Sequence, residues 1–530
     1  MNGLKFFLAM ASLCMVGFIG LPKDKEELKL SEHSIIPKPL EVTEGEGVFT
    51  FKEGTGYQLI GEADDLNYAL DFFKDFAQKS MGIKLDQKEN GKIQISMDDS
   101  RAAESYELNI NPNGIKVTAA DGQGLFYAFQ TIRQLLPADA EKGRGNGFSI
   151  PAGKINDKPE YEYRGVMLDV SRHFFPVEDV KSLIDQVAKY KVNKLHLHLS
   201  DDQGWRIEIK SWPNLTKIGG STQVGGGDGG YYTQEDYKDI VAYAASKFIT
   251  VIPEIDMPGH TNAVLASYGE FNPGVELPET GRVPVDRKAL GVDGEDSNAS
   301  DLYTGIKVGF STLDTKKEIT YEFIEDVIRE IAEITPGPYF HIGGDESLVT
   351  ELEDYKPFIE RAQALVTKYG KTSIGWDEIA HADLEEGTIA QFWAKEKNIK
   401  LAADQGNKII MSPSKHIYLD MKYDTTTRIG HTWAGLIEID QSYNWNPTQL
   451  VEGVGKELIL GVEAPLWTES VENRDDIEYM VFPRITALAE IGWTPQSLRK
   501  FDNYKNRLRT HMKRWDAMGI NYYKSPLLEK

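Results

Sequence analysis

The chain has 530 residues, 41% of them hydrophobic, and a formal net charge of −23. That length argues for two or more domains, or for one large barrel with an appendage, and the hydrophobic share is enough for a sizeable core, so disorder is not the default. The negative charge sets aside nucleic acid and anionic membrane surfaces as partners, while nine Trp and 24 Tyr suit either stacking on sugar faces or an ordinary core.

Residues 6–21 form the only long apolar run, preceded by Lys5 and followed by the charged segment Lys23-Asp24-Lys25-Glu26-Glu27. At about sixteen residues it is short for a membrane span and reads as a secretory signal over residues 1–22. The single cysteine, Cys14, lies inside it, so a processed chain would hold no internal disulfide. Ala11-Ser12-Leu13-Cys14 also resembles a lipoprotein cleavage site, with Leu13 bulky for that role; plain cleavage and an uncleaved anchor are the alternatives. An exported protein is expected: periplasmic, secreted or an outer-membrane lipoprotein.

Residues 33–155 read as a first, small α+β domain. After an extended approach at residues 34–39, short strands are predicted at 57–60, 93–97, 106–110 and 115–119, with helices at 69–80 and 124–136. This unit carries no acid pair, metal-ligand cluster or phosphate loop, and so is assigned support rather than chemistry. From about residue 156 to 525 the pattern becomes strands alternating with amphipathic helices, the mark of a parallel sheet. Strands are predicted at 163–169, 194–199, 250–255, near 339–342, at 373–376, 388–393, 408–411 and 458–463. The helices expected are 177–190, 235–247, 316–334, 477–488 and 503–518. Eight strands in about 350 residues suit a (β/α)8 TIM barrel with long loops. A doubly wound sheet is the alternative, but no glycine fingerprint follows the first strand. Residues 271–312, Gly-rich and acidic, read as an insertion beside the barrel mouth.

Polar residues gather after nearly every predicted barrel strand. They include Asp169 to His173, Asp201 to Arg206, Glu254 to His260, Gly375 to Glu378, Gln391 to Trp393, Tyr418 to Asp420 and Glu463 to Glu469. The most informative stretch is Tyr339-Phe340-His341-Ile342-Gly343-Gly344-Asp345-Glu346. There an apolar strand, a two-glycine bend and two adjacent carboxylates coincide. Neighbouring acids either repel or divide a task, one protonated and the other ionised. A shared position at one barrel face makes a single pocket lined by acids, one Arg and several Trp the preferred reading.

The motifs His341 to Glu346, Leu197 to Trp205, Pro253 to Thr261 and Gly461 to Glu469 resemble glycoside hydrolase family 20, the β-N-acetylhexosaminidases, and residues 34–140 resemble the small domain that usually precedes that barrel. The resemblance implies catalysis assisted by the substrate, an exception to the two-carboxylate scheme, with neither cofactor nor metal. By resemblance, Glu346 is the general acid and then the base, a role that needs a raised pKa. Asp345 would hold the N–H of the sugar's 2-acetamido group and steady an oxazolinium-like cation, and Tyr418 would bond the acetamide oxygen. Trp376, Trp393 and Trp467 would wall the acetamide and sugar, with Trp433 at the rim. Arg172 and Glu469 would bind hydroxyls at the non-reducing end, Asp420 the 6-hydroxyl, and Asp201 with His260 would form a relay to Glu346. The implied substrate is a glycan ending in N-acetylglucosamine or N-acetylgalactosamine, cut one terminal sugar at a time.

Plainer readings stand beside these. Arg172 could simply pair with Asp169 or Asp201, Asp202 could cap a turn, His260 could be a buried turn histidine, and Trp433 and Trp467 could be core aromatics. Trp205 reads as packing. His196 and His198, two apart on a strand, face one side as in metal-dependent barrel hydrolases, but their leucine neighbours favour buried, hydrogen-bonded histidines. A non-catalytic sugar-binding barrel would be expected to lack one of the two central acids, and both are present.

Overall fold

Every position of Tyr163–Asp169 is buried, as a strand covered on both faces must be. It is the first of eight parallel strands that close into a barrel in a computed structural model describing residues 29–61, 66–143 and 147–529. The others are Lys194–His198, Thr250–Glu254, Tyr339–His341, Thr372–Trp376, Ile389–Phe392, Lys408–Met411 and Ile459–Leu466. They follow one another around the barrel in chain order, and the eighth pairs with the first from Gly461↔Tyr163 to Leu466↔Leu168. The predicted signal segment and Cys14 lie outside the described residues. Among those residues, no helix is long and apolar enough to cross a membrane.

Helices surround the barrel where the apolar stripes require them. Val177–Ala188 buries Val180, Leu183, Ile184 and Val187, and Glu318–Glu333 buries Phe323, Val327 and Ile331. Gln234–Ala245 begins with a capping box in which Thr233 and Asp236 satisfy one another's backbone N–H groups. The segment expected as one helix over 477–488 is two, Arg474–Val481 and Arg484–Trp493. Pro483 has no N–H to donate and forces Phe482 into an extended conformation, which ends the first helix.

Before the barrel lies a six-stranded sheet with order Glu41–Thr50, Ser149–Asp157, Tyr106–Asn111, Gly114–Ala119, Ile93–Met97, Tyr57–Ile60. The last four in that order, Tyr106–Asn111, Gly114–Ala119, Ile93–Met97 and Tyr57–Ile60, were predicted. Glu41–Thr50 and Ser149–Asp157 were not, because the first is mostly exposed and charged and the second contains Pro151 and Gly153. Helices Asn67–Met81 and Gly122–Leu135 pack on each other through the stacked rings of Phe73 and Phe129. This unit meets the barrel where its strands begin, through Arg164 with Glu104 and through Lys191 with Asp157. The opposite end of the barrel stays open.

Candidate active site

The barrel interior beneath the mouth is polar. Glu254, the last residue of the third strand, lies 2.9 Å from His196 Nε2, 2.5 Å from His198 Nδ1 and 3.1 Å from His341 Nδ1, and accepts the Trp376 indole N–H at 2.9 Å. Burial alone would raise its carboxyl, but His198, His341 and His196 outweigh that and hold it well below the ordinary range. Glu463 sits 2.9 Å from the other side of His196 and accepts from Tyr163 and Gln391. The predicted eighth strand stops at Glu463; it runs on to Leu466, and Glu463 points into the barrel. His196, Glu254 and His341 are close enough to hold a cation. His198 is hydrogen-bonded on both ring nitrogens, to Glu254 and Asp201, and His196 on Nδ1 to Glu463 with Glu254 2.9 Å from its Nε2, and both are buried as their leucine neighbours indicate.

One step up, the fourth strand ends and the chain turns. Gly343 and Gly344 take left-handed φ of 67° and 98°, and Glu346 takes 45°. The turn is held by Gly344 N–H to Asp256 Oδ1 at 3.0 Å and by Tyr355 O–H to the Gly344 carbonyl at 2.6 Å. No side chain fits at Gly343, where a Cβ would lie 1.8 Å from Asp256 Oδ1. The outcome is that Asp345 and Glu346 project into one cavity of about 380 Å³, the first mostly buried and the second 31% exposed.

Arg172, His260, Trp393, Tyr418, Asp420, Trp433, Trp467 and Glu469 line the same cavity. Asp169 sets Arg172 by accepting the backbone N–H of Ser171 and Arg172, and Arg172 then reaches Asp201 at 2.7 Å while stacking over Trp467 at 4.7 Å. It therefore both pairs with acids and faces the cavity. Asp201 takes His260 Nδ1 at 3.2 Å, and His260 Nε2 lies 3.5 Å from Glu346 and 3.8 Å from Asp345. Trp433, 57% exposed, meets Trp393 and Tyr418 edge-on at the rim.

One placement differs from expectation. Trp376 is absent from the cavity wall: it lies one layer deeper, its ring 5.7 Å from Trp467 and its N–H engaged by Glu254, because its strand turns it into the barrel. Asp201 lies behind the wall and touches the cavity through Arg172 and through His260, which in turn faces Glu346. Asp202 binds Asn262 N–H and Ser311 Oγ, tying two loops together, and Trp205 is core.

The profile described as "Glycosyl hydrolase family 20, catalytic domain" matches residues 161–496, and "Glycosyl hydrolase family 20, domain 2" matches residues 32–158. The chain belongs to glycosyl hydrolase family 20. A beta-N-acetylhexosaminidase of Cellulomonas fimi is 39% identical over 438 residues, 82% of this chain and 83% of that protein. A beta-hexosaminidase of Porphyromonas gingivalis is 34% identical over 96% of this chain and 67% of its own length. The solved N-acetyl-beta-hexosaminidase of Streptomyces plicatus, in complex with Thio-NAglucal, superposes with a TM-score of 0.87 at 43% identity, covering 94% of this chain and 98% of that one.

The electrostatics of this family 20 site follow from burial and close charges. Burial first, then the charges of Asp256, Glu346 and Glu254, hold Asp345 well above the ordinary carboxylate range, with His260 opposing. Burial would depress His260, but Asp201 and Asp345 outweigh it and raise the imidazole well above its usual value. Burial works against Asp201 too, yet Arg172 and His260 keep it far below the usual range. At the other end of the cavity, burial and the charge of Glu469 push Asp420 up to about 8.

Sequence reasoning assigned no role to Glu254, Asp256, His431, Ile306 or Val308. Glu254 and Asp256 hold the histidines and the two-glycine turn. An acid ending an apolar strand was the available signal for Glu254. His431 lines the cavity with its Nε2 3.6 Å from Glu469, and the histidine two residues before Trp433 was its only signal. Ile306 and Val308 come from the predicted insertion, which does lie beside the mouth.

Proposed function

We propose that the chain is an exo-acting, retaining β-N-acetylhexosaminidase that releases a terminal N-acetylglucosamine or N-acetylgalactosamine by substrate-assisted catalysis. The observation that carries this is the pairing of unlike carboxyls on one turn: Glu346 partly exposed to the cavity, and Asp345 buried beside it with an Oδ1 that has no hydrogen-bond partner among the described residues. An unpaired buried acceptor calls for an N–H donor, and the 2-acetamido group supplies one.

In this reading the sugar's acetamide oxygen attacks C1 while Glu346 gives its proton to the glycosidic oxygen, and the leaving group departs as an alcohol. The ring so formed carries a positive charge. Asp345 accepts the acetamide N–H, and that bond strengthens as the nitrogen takes on positive charge, so its effect falls on the transition state rather than on ground-state binding. Glu346, now ionised, takes a proton from water, whose oxygen opens the ring at C1 and restores the β configuration. Tyr418 bonds the acetamide oxygen, and Trp393 and Trp467 wall the sugar. Arg172, Asp420 and Glu469 close the far end, which is what limits cleavage to one terminal residue. The beta-hexosaminidase names of the relatives support the substrate class, and a mutant of the Streptomyces plicatus enzyme is solved with GlcNAc, described as product. Export of the chain is a companion proposal, supported by the apolar run of residues 6–21.

Hydrolysis of aryl β-N-acetylglucosaminide, aryl β-N-acetylgalactosaminide and the plain aryl β-glucoside tests the reading. The first two should be cleaved, the third should not, and a thiazoline mimic of the cyclised intermediate should inhibit. Glu346→Gln should lower kcat by about 10²–10⁴-fold on a glycoside with a poor leaving group and far less on one with an excellent leaving group. Asp345→Asn should lose rate on both with little change in KM. Undiminished cleavage of the plain glucoside sinks the mechanism.

A further inference from the structure

Three groups that hydrolysis would use separately also face one another. His260 Nε2 lies 3.5 Å from Glu346 Oε2 and 3.8 Å from Asp345 Oδ2, and one ligand atom from each of the three residues lies within 4.8 Å of the other two. All three residues line the sugar cavity. His260 and Asp345 are more than nine-tenths buried, and His260 Nε2 and Asp345 Oδ1 have no hydrogen-bond partner among the described residues. Buried polar atoms are costly to leave unmatched, and these two belong to the wall of one cavity.

Their spacing suits a metal ion. Zinc held tetrahedrally by bonds of about 2.0–2.2 Å keeps its ligand atoms about 3.3–3.6 Å apart. The gap from His260 to Glu346 fits as it stands, the gap to Asp345 is slightly long, and Glu346, the partly exposed member, is free to swing inward. The imidazole is also oriented as a zinc-binding histidine is. Its Nδ1 lies 3.2 Å from Asp201 Oδ1, which leaves Nε2 for the ion, and a carboxylate on the far nitrogen makes such a ligand more basic. The surrounding charge favours a cation. Asp201, Asp256, Asp345 and Glu346 stand around His260, and the opposing cations Arg172 and His198 are already paired with Asp201 at 2.7 and 2.8 Å. A bound ion takes the place of any proton on Nε2 and neutralises the two acids. One imidazole with two carboxylates suits zinc or a similar transition metal, whereas magnesium and calcium take oxygen ligands. The other such groups among the described residues are built on Glu254 or Asp256, and their members apart from His260 do not line the cavity.

We propose that His260, Asp345 and Glu346 form a binding site for a divalent transition metal, zinc in the first instance, and that the bound ion blocks turnover. The remaining coordination position opens onto the cavity. With the ion in place Asp345 is engaged where the acetamide N–H would bind, and Glu346 carries no proton for the glycosidic oxygen, so metal and terminal sugar exclude one another. The metal site stands on the geometry of these three residues; only its effect on turnover rests on the hexosaminidase reading.

Titration calorimetry of the tag-free chain should show one zinc ion bound per chain, and far weaker binding of magnesium. His260→Asn and Asp345→Asn should each weaken zinc binding by about tenfold or more, and Asp201→Asn, which loses only the orienting carboxylate, by about 10–100-fold. Glu346→Gln, at the partly exposed position, reads the same loss where a buried substitution fails to fold by circular dichroism. With aryl β-N-acetylglucosaminide as substrate, zinc should raise KM at constant kcat, a chelator should restore the rate, and magnesium should do nothing. No measurable zinc uptake by the wild type, uptake unchanged in the folded variants, or an inhibition that substrate does not relieve each overturns the proposal while leaving the hexosaminidase reading in place. Zinc uptake that depends on these residues, in a chain that fails to cleave the aryl glycoside, upholds the metal site and sinks that earlier reading instead.

Discussion

The carboxyl of Asp420 is fully inside the protein and its Oδ1 has no hydrogen-bond partner among the described residues. Burial and Glu469 raise it from an ordinary value of 3.8 to about 8. An acid whose folded-state pKa is raised binds its proton more tightly in the native state than in the unfolded one. Its ionisation therefore costs stability progressively as pH climbs from about 4 to about 8, and the cost then levels off. Asp420→Asn, uncharged throughout, should gain in thermal midpoint over the wild type, by an amount that grows across that interval and is constant above it. The same variant should lose kcat/KM, because the sugar end of the cavity loses an acceptor. A midpoint difference that is flat with pH would show that the carboxyl is not strained by burial. Asp420 could be picked from the sequence as a site residue; its strain could not, since that depends on Glu469, 49 positions along the chain, being folded against it.

The turn from Ile342 to Glu346 is the element on which the site depends. Its two glycines were legible as a bend, but the reason for them is an atom on another strand's loop, Asp256 Oδ1. Gly343→Ala should abolish most activity and lower stability, since a Cβ 1.8 Å from that oxygen, at a φ of 67°, forces the turn to shift. Circular dichroism with kcat/KM on an aryl N-acetylglucosaminide would read both effects; near wild-type turnover would mean that the turn does not aim the acids. The barrel strands themselves were predicted to within a residue or two, because an apolar run bounded by polar residues is a local signal. The eighth strand was cut short at Glu463 because an acid inside a barrel looks, in one dimension, like the strand's end.

Across the whole molecule, the seam between the small domain and the barrel is a buried charge cluster. Lys191 Nζ lies 2.9 Å from Asp157 Oδ2, and Asp157 also accepts from Tyr106 at 2.6 Å and from the Trp493 indole at 2.8 Å. Both charged side chains are fully buried. Asp157→Ala leaves a buried ammonium unpaired and should cost about 3–5 kcal/mol in urea unfolding. Adding Lys191→Met should recover much of that loss, because no lone charge remains. A double variant as unstable as the single one would show that the pairing is not what holds the seam.

The local pattern of apolar runs, glycines and capping residues determined the class of fold, the order of its elements and the residue types at the strand ends, because each depends on neighbours within a few positions. Which of those polar groups meet was decided only when the barrel closed. Closure turned Trp376 and Glu463 inward, and set Glu254 among three histidines. Burial and charge act through space, so the protonation of Asp345, Asp420 and His260 belongs to the folded arrangement and to no single stretch of chain.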